Sequence, residues 1–135
     1  MITDHLFVYG TLIAGSGNAV ERAAHATLGP GVAGVVQGVL YAIPDTGGWY
    51  PALLPGEGVV HGVMHPVLPG LDLRMLDAYE GADYQRRVVS VETASGPVMA
   101  QAYLWAMGLP DGAARIEEGN FLAHARARHW RLFGA

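Results

Sequence analysis

The sequence predicts an α+β fold: a small β-barrel or strongly curled sheet flanked by helices. Three observations carry this. Strand-like segments fall in runs rather than alternating regularly with helices, which disfavours a doubly wound parallel sheet. The longest early one, 32–43 (V-A-G-V-V-Q-G-V-L-Y-A-I), holds Gly34 and Gly38, and glycines bend strands where a sheet curls toward closure. Three segments with helical signals remain to cover the outside.

Each element has its own justification. Residues 5–9 (H-L-F-V-Y) are aromatic and β-branched, a short buried strand that Gly10 ends. Residues 18–28 read as a helix with Asn18 as N-cap, Glu21 three residues on and Gly29-Pro30 as the stop. Strand 32–43 follows. Residues 44–58, with their prolines, glycines and Trp49-Tyr50-Pro51, read as a loop. Residues 59–67 form the next strand, with Pro66 at its end or on an edge. Pro69-Gly70 breaks the chain before 71–79, where Leu73, Leu76 and Tyr79 have helical spacing and Gly81 closes the helix. Strands 84–93 and 98–106 make a hairpin around Ser95-Gly96-Pro97. Residues 115–132 read as a final helix, with Leu122, Ala125, His129 and Leu132 along one side and Glu117-Glu118 as an acidic first turn.

At 135 residues the chain is expected to be one domain spanning 1–135. Half of its residues are apolar (51%), enough for a core. It has no cysteine, which excludes thiol nucleophiles, thiolate metal sites and disulfides. All eight basic residues are arginine, so a lysine Schiff base and a P-loop lysine are excluded as well. The formal charge of −4 argues against nucleic acid as a partner. Arg126, Arg128 and Arg131 are read as a solvated helix face. No apolar run reaches the ~18 residues of a membrane span. Met1–His5 carries no basic residue before its apolar stretch, so no secretory signal is expected and a cytoplasmic location is the default.

Several motifs fail on context. Gly29-Pro30-Gly31-Val32-Ala33-Gly34 matches G-x-G-x-x-G, but helix-like sequence precedes it and strand-like sequence follows, the reverse of a dinucleotide turn. His61 and His65 would stand roughly 13 Å apart on a strand at ~3.3 Å per residue, too far to chelate one ion. All six histidines are read as structural or surface residues, and no metal or other cofactor is expected. None of Ser16, Ser90 and Ser95 sits in G-x-S-x-G.

Two stretches carry chemistry. In F-V-Y-G-T-L (7–12) a glycine turn follows a strand directly, so backbone N–H groups can point at an anion. In L-D-A-Y-E-G-A-D-Y-Q-R (76–86), Glu80 ends an apolar, helix-like run. The dipole disfavours a carboxylate at a helix C-terminus, and Leu76, Tyr79 and Tyr84 are placed to bury it.

These stretches, with G-N (17–18), G-V-L-Y (38–41), Y-P-A (50–52), V-H-G-V-M (60–64) and A-Y-L-W (102–105), fall in the order of the γ-glutamylcyclotransferase-like family. The chain resembles its small AIG2-like branch over most of its length up to Trp105. The resemblance implies a small mixed β-barrel flanked by helices. It implies substrate binding by Tyr9, Gly10, Thr11 and Leu12, a catalytic Glu80, and Tyr84 near the bound substrate. The implied reaction is cyclisation of a γ-glutamyl amide to 5-oxoproline, with release of an amine or amino acid and Glu80 as general acid/base. Two departures bear on substrate: Ile13-Ala14 follows the first motif where basic residues are common, and Val63 stands where an acidic residue is common. The alternative from another class is a non-catalytic module holding a small carboxylate on the same barrel. A third is an interaction protein using Trp49, Tyr50 and Trp130 as surface anchors.

Overall fold

The computed structural model describes residues 5–10, 28–68 and 73–130. Its strands are β1 (His5–Val8), β2 (Val32–Ile43), β3 (Tyr50–Pro66), β4 (Tyr84–Thr93), β5 (Gly96–Trp105) and β6 (Ala114–Arg115). Its helices are α1 (Leu73–Glu80) and α2 (Phe121–Ala127). The sheet order is β3-β1-β5-β4-β2-β6, and β2 also pairs with β3, so the first five strands close on themselves. The β1–β5 pairing is parallel and the other ladders are antiparallel, which makes a mixed five-stranded barrel with β6 attached to β2.

The barrel interior holds Phe7, Tyr9, Val36, Leu40, Leu53, Val60, Met64 and Val91, with Ala100 and Ala102 small enough to leave them room. α2 caps this core with Phe121 and Leu122. On the outside, α1 lays Leu76 onto Leu6, Val8 and Tyr103. Alternation along β1 explains the division: Phe7 faces in while Leu6 and Val8 face α1. Close approach at Gly38 permits the bend in β2. The β2–β3 register shifts between Gln37 and Val39, and Pro55–Gly58 of β3 has no partner opposite Gly38. A side chain there would meet the Leu54 carbonyl oxygen at 2.9 Å.

Three expectations are corrected. Residues 44–58 are not all loop: β3 starts at Tyr50, and residues 50–54 pair with 39–43 before the Pro55–Gly58 bulge. Proline and glycine mark a bulge inside a long strand here, not its absence. The final helix does not begin at residue 115. Ala114–Arg115 pairs with β2, and α2 starts after Asn120, whose Oδ1 accepts from the Ala123 N–H at 3.0 Å. Glu118 therefore precedes the helix, and His124 Nδ1 meets it at 2.5 Å. Past the helix end, His129 lies exposed with φ 56°, outside the apolar side assigned to it. Trp49 and Trp130 are half-buried and stack on each other, rings 3.8 Å apart, rather than standing separately. Of the predicted helix 18–28, residues 18–27 lie outside the described residues, as does Leu132. Leu28 makes a bridge to Val67.

Phe121 has no exposed surface, although its helix is only seven residues long. Phe121→Ala is expected to destabilise the protein by about 3–5 kcal/mol through lost burial and the cavity left behind, as measured by the shift in denaturant midpoint at unchanged slope.

Candidate active site

A cavity of about 280 Å³ opens where the ends of β1, β5 and α1 meet the starts of β3 and β4. That is near the lower end of ligand pockets, roughly 300–1,000 Å³, and suits a small metabolite. Phe7, Val8, Tyr9 and Gly10 line it from β1 and the turn after it. Tyr79 and Glu80 come from the last turn of α1, and Tyr84 and Tyr103 from β4 and β5. Asp45, Tyr50, Pro51 and Asp83 complete the wall.

The sequence explains why each element ends there. Gly81 takes φ 85° directly after Glu80, and its N–H reaches the Asp77 carbonyl at 3.0 Å, so α1 stops with Glu80 in its last turn. Gly10 is required by the protein's own packing: a Cβ there would come within 2.2 Å of Pro51 Cγ. Tyr84 donates its hydroxyl to the Pro51 carbonyl, and its ring meets Trp105 edge-on at 5.2 Å. Tyr9 donates its hydroxyl to the Tyr103 carbonyl.

Glu80 keeps some surface facing the cavity, yet protein atoms surround the carboxyl closely enough to strip most of its water. Desolvation pushes its pKa up to about 8. Burial likewise raises Tyr9 and Tyr84 above the ordinary phenol range, with the Glu80 charge adding to it. Tyr103 is raised by burial first and by its hydrogen bond to Asp77 second. All three phenols are therefore neutral at physiological pH. One turn earlier on the same helix, hydrogen bonds from Arg86 hold Asp77 below the usual carboxylate range. Two carboxylates three residues apart are thus pushed in opposite directions, the pattern that separates a proton carrier from a fixed charge.

Of the residues expected at a site, the structure brings Tyr9, Gly10, Glu80 and Tyr84 to one cavity. Thr11 and Leu12 lie outside the described residues. Val63 pairs with Val8 and packs on the α1 cluster, and is not part of the cavity wall. Tyr79, expected to help bury Glu80, lines the cavity too; Tyr50, Asp83 and Tyr103 join it from inside the quoted motifs, and Asp45 from a segment that carries no motif. His65 is buried, with Nδ1 2.9 Å from the Gly29 carbonyl oxygen, whereas His61 is exposed. Among the described residues, no helix is long and apolar enough to cross a membrane.

A family model described as gamma-glutamyl cyclotransferase, AIG2-like, matches residues 6–123. Among solved structures, an AIG2-like protein from Mus musculus is 27% identical with a TM-score of 0.65, and the match covers 82% of each chain. YkqA from Bacillus subtilis is 22% identical with a TM-score of 0.72; the match covers 95% of this chain and 43% of YkqA, so the chain spans less than half of that protein. An uncharacterised protein from Pyrococcus horikoshii is 21% identical with a TM-score of 0.65, covering 94% of this chain and 97% of its own. No curated protein matches the sequence.

Burial of Glu80 sets a pH dependence whose sign is fixed. The carboxyl ionises near its ordinary value when unfolded and near 8 when folded. The Glu80 contribution is then full below about pH 4.5 and is lost as pH rises toward 8, by at most about 1.4 kcal/mol per pH unit. Glu80→Gln removes that slope. Thermal melts across this range should show the variant gaining on the wild type by a few kcal/mol at pH 8 and matching it at pH 4.

Proposed function

The chain belongs to the gamma-glutamyl cyclotransferase, AIG2-like family, and from that premise we propose that it cyclises a γ-glutamyl amide to 5-oxoproline, with Glu80 as general acid/base. The observation that carries this reading is the desolvated Glu80 carboxyl in the same small cavity as the Tyr9–Gly10 end of β1.

The reaction joins two groups of one molecule. The substrate's α-nitrogen attacks its own γ-carbonyl carbon, a five-membered lactam closes, and the bond to the leaving nitrogen breaks. Folding the substrate into this geometry removes most of the entropic barrier. What remains is proton traffic. The α-ammonium must lose a proton before its nitrogen is a nucleophile, and the leaving nitrogen must gain one. An ordinary glutamate is several units too acidic to share a proton with an amine of pKa about 7.7–8.0. Glu80, pushed up to about 8, is matched to it. An arriving ammonium favours the carboxylate form, so binding prepares the base.

The rings of Tyr79, Tyr84 and Tyr103 wall the reacting centre, and their apolar surface keeps the dielectric low. Gly10 is the described member of the turn proposed, with Thr11 and Leu12, to hold the α-carboxylate or the developing oxyanion through backbone N–H groups. Gly10 and Pro51 in contact leave that turn no room for a side chain on this side.

The test is a γ-glutamyl amide and peptide library assayed for 5-oxoproline. The wild type is expected to turn over at least one class. Glu80→Gln should keep the fold and lose about 100-fold or more in kcat/KM. The wild-type profile of kcat/KM should rise with pH through an apparent pKa near 8. Unchanged turnover in Glu80→Gln removes that residue from the reaction. Binding of γ-glutamyl compounds by calorimetry, without product from any of them, replaces the enzyme by a small-carboxylate-binding module.

A further inference from the structure

α1 is eight residues long and buries one side chain fully, Leu76. A helix this short has little stability of its own, and a single apolar anchor leaves its rotation and depth loosely set. Yet Glu80 is useful only if the helix presents it to the cavity at one depth. Asp77 supplies the second anchor. Its carboxylate accepts from Arg86 Nε at 2.9 Å and Arg86 Nη2 at 3.2 Å, and from the Tyr103 hydroxyl at 2.7 Å. The two-point fork with arginine fixes direction as well as distance.

Arg86 and Tyr103 face each other across the β4–β5 ladder. Arg86 Nη1 also donates to Gln101 of β5. The helix is thereby tied to two barrel strands at once. Tyr103 extends the link, because its ring lines the cavity and its carbonyl accepts the Tyr9 hydroxyl. Asp77 and Arg86 are not part of the cavity wall, so neither is placed to touch substrate. Residues three apart share a helix face, so a rotation that loosens Asp77 carries Glu80 with it.

We propose that Asp77, Arg86 and Tyr103 are positioning residues that lock α1 against the β4–β5 hairpin and thereby hold the Glu80 carboxyl inside the cavity. The consequence for rate rests on the cyclotransferase reading. The placement of the carboxyl does not, and it is read without turnover.

The test follows the Glu80 carboxyl by carbon NMR titration in the full chain, beside kcat and KM on whichever γ-glutamyl compound the wild type turns over. Arg86→Ala decides, because two effects on Glu80 have opposite signs. Loss of a nearby cation alone raises the carboxyl's midpoint. Release of the helix admits water and lowers it. A fall of about one unit or more is expected, with kcat down about tenfold or more and KM changed little. Arg86→Lys, which keeps the charge without the fork, should recover part of both. Tyr103→Phe removes one hydroxyl and no charge, and should shift the midpoint downward by less. A folded Arg86→Ala with an unchanged or raised midpoint overturns the proposal. If Arg86→Ala does not fold, an unchanged midpoint in Tyr103→Phe overturns it instead. A wild type that titrates high but turns over nothing rejects the reaction, and the NMR comparison still decides the positioning.

Discussion

Keeping one carboxyl group out of water is the constraint around which this barrel is arranged. Glu80 has no charge partner among the described residues to compensate its burial, and desolvation is the cause of its raised pKa. It also ends a helix, where the carbonyl dipoles disfavour a negative charge. Such a group stays in place only if the surrounding fold is stable enough to hold it there. The closed ladder supplies that stability: β2 runs along β3 on both sides of the bulge, and β4 pairs with β5 over its whole length. The phenols around the cavity do not relieve the carboxyl. Tyr9 and Tyr84 direct their hydroxyl protons to the backbone carbonyls of Tyr103 and Pro51. Their polar ends brace the strands while their rings face the cavity.

Much of this was legible in the sequence, because it is written in local patterns. The H-L-F-V-Y run gave β1, Gly81 gave the end of α1, and Ser95-Gly96 gave the hairpin turn. Glycine inside 32–43 pointed to a bend, and the register shift brackets Gly38. Strands in runs pointed to a barrel or a strongly curled sheet, and the β2–β3 pairing closes it. Glu80 stood out because a carboxylate at the end of a helix, among aromatic neighbours, is locally unfavourable and needs a reason.

What escaped the sequence depends on partners far along the chain. Tyr50–Leu54 looks like loop because proline, glycine and tryptophan surround it, but pairing with residues 39–43 of β2 overrides that local chemistry. Ala114–Arg115 is too short to show a strand period, and only the neighbouring edge of β2 makes it one. The segment before α2 looks helical from its acidic pair, yet Asn120 caps the helix later and frees Glu118 to meet His124. Trp49 and Trp130 are 81 positions apart, so their stacking has no local trace.

Asp77 and Glu80 show where sequence reading stops and structure begins. Both are acids on the same two-turn helix, and by pattern alone each is an ordinary solvated carboxylate. Their fates diverge because of what the barrel presents to each. Asp77 meets a guanidinium and a hydroxyl from the β4–β5 pair and is held ionised. Glu80 meets rings and is driven toward its neutral form. The first carboxylate is satisfied and serves the architecture. The second is left able to exchange a proton near neutral pH, the property that general acid/base chemistry asks of a carboxyl group. The two are coupled mechanically, since an eight-residue helix cannot place one without placing the other.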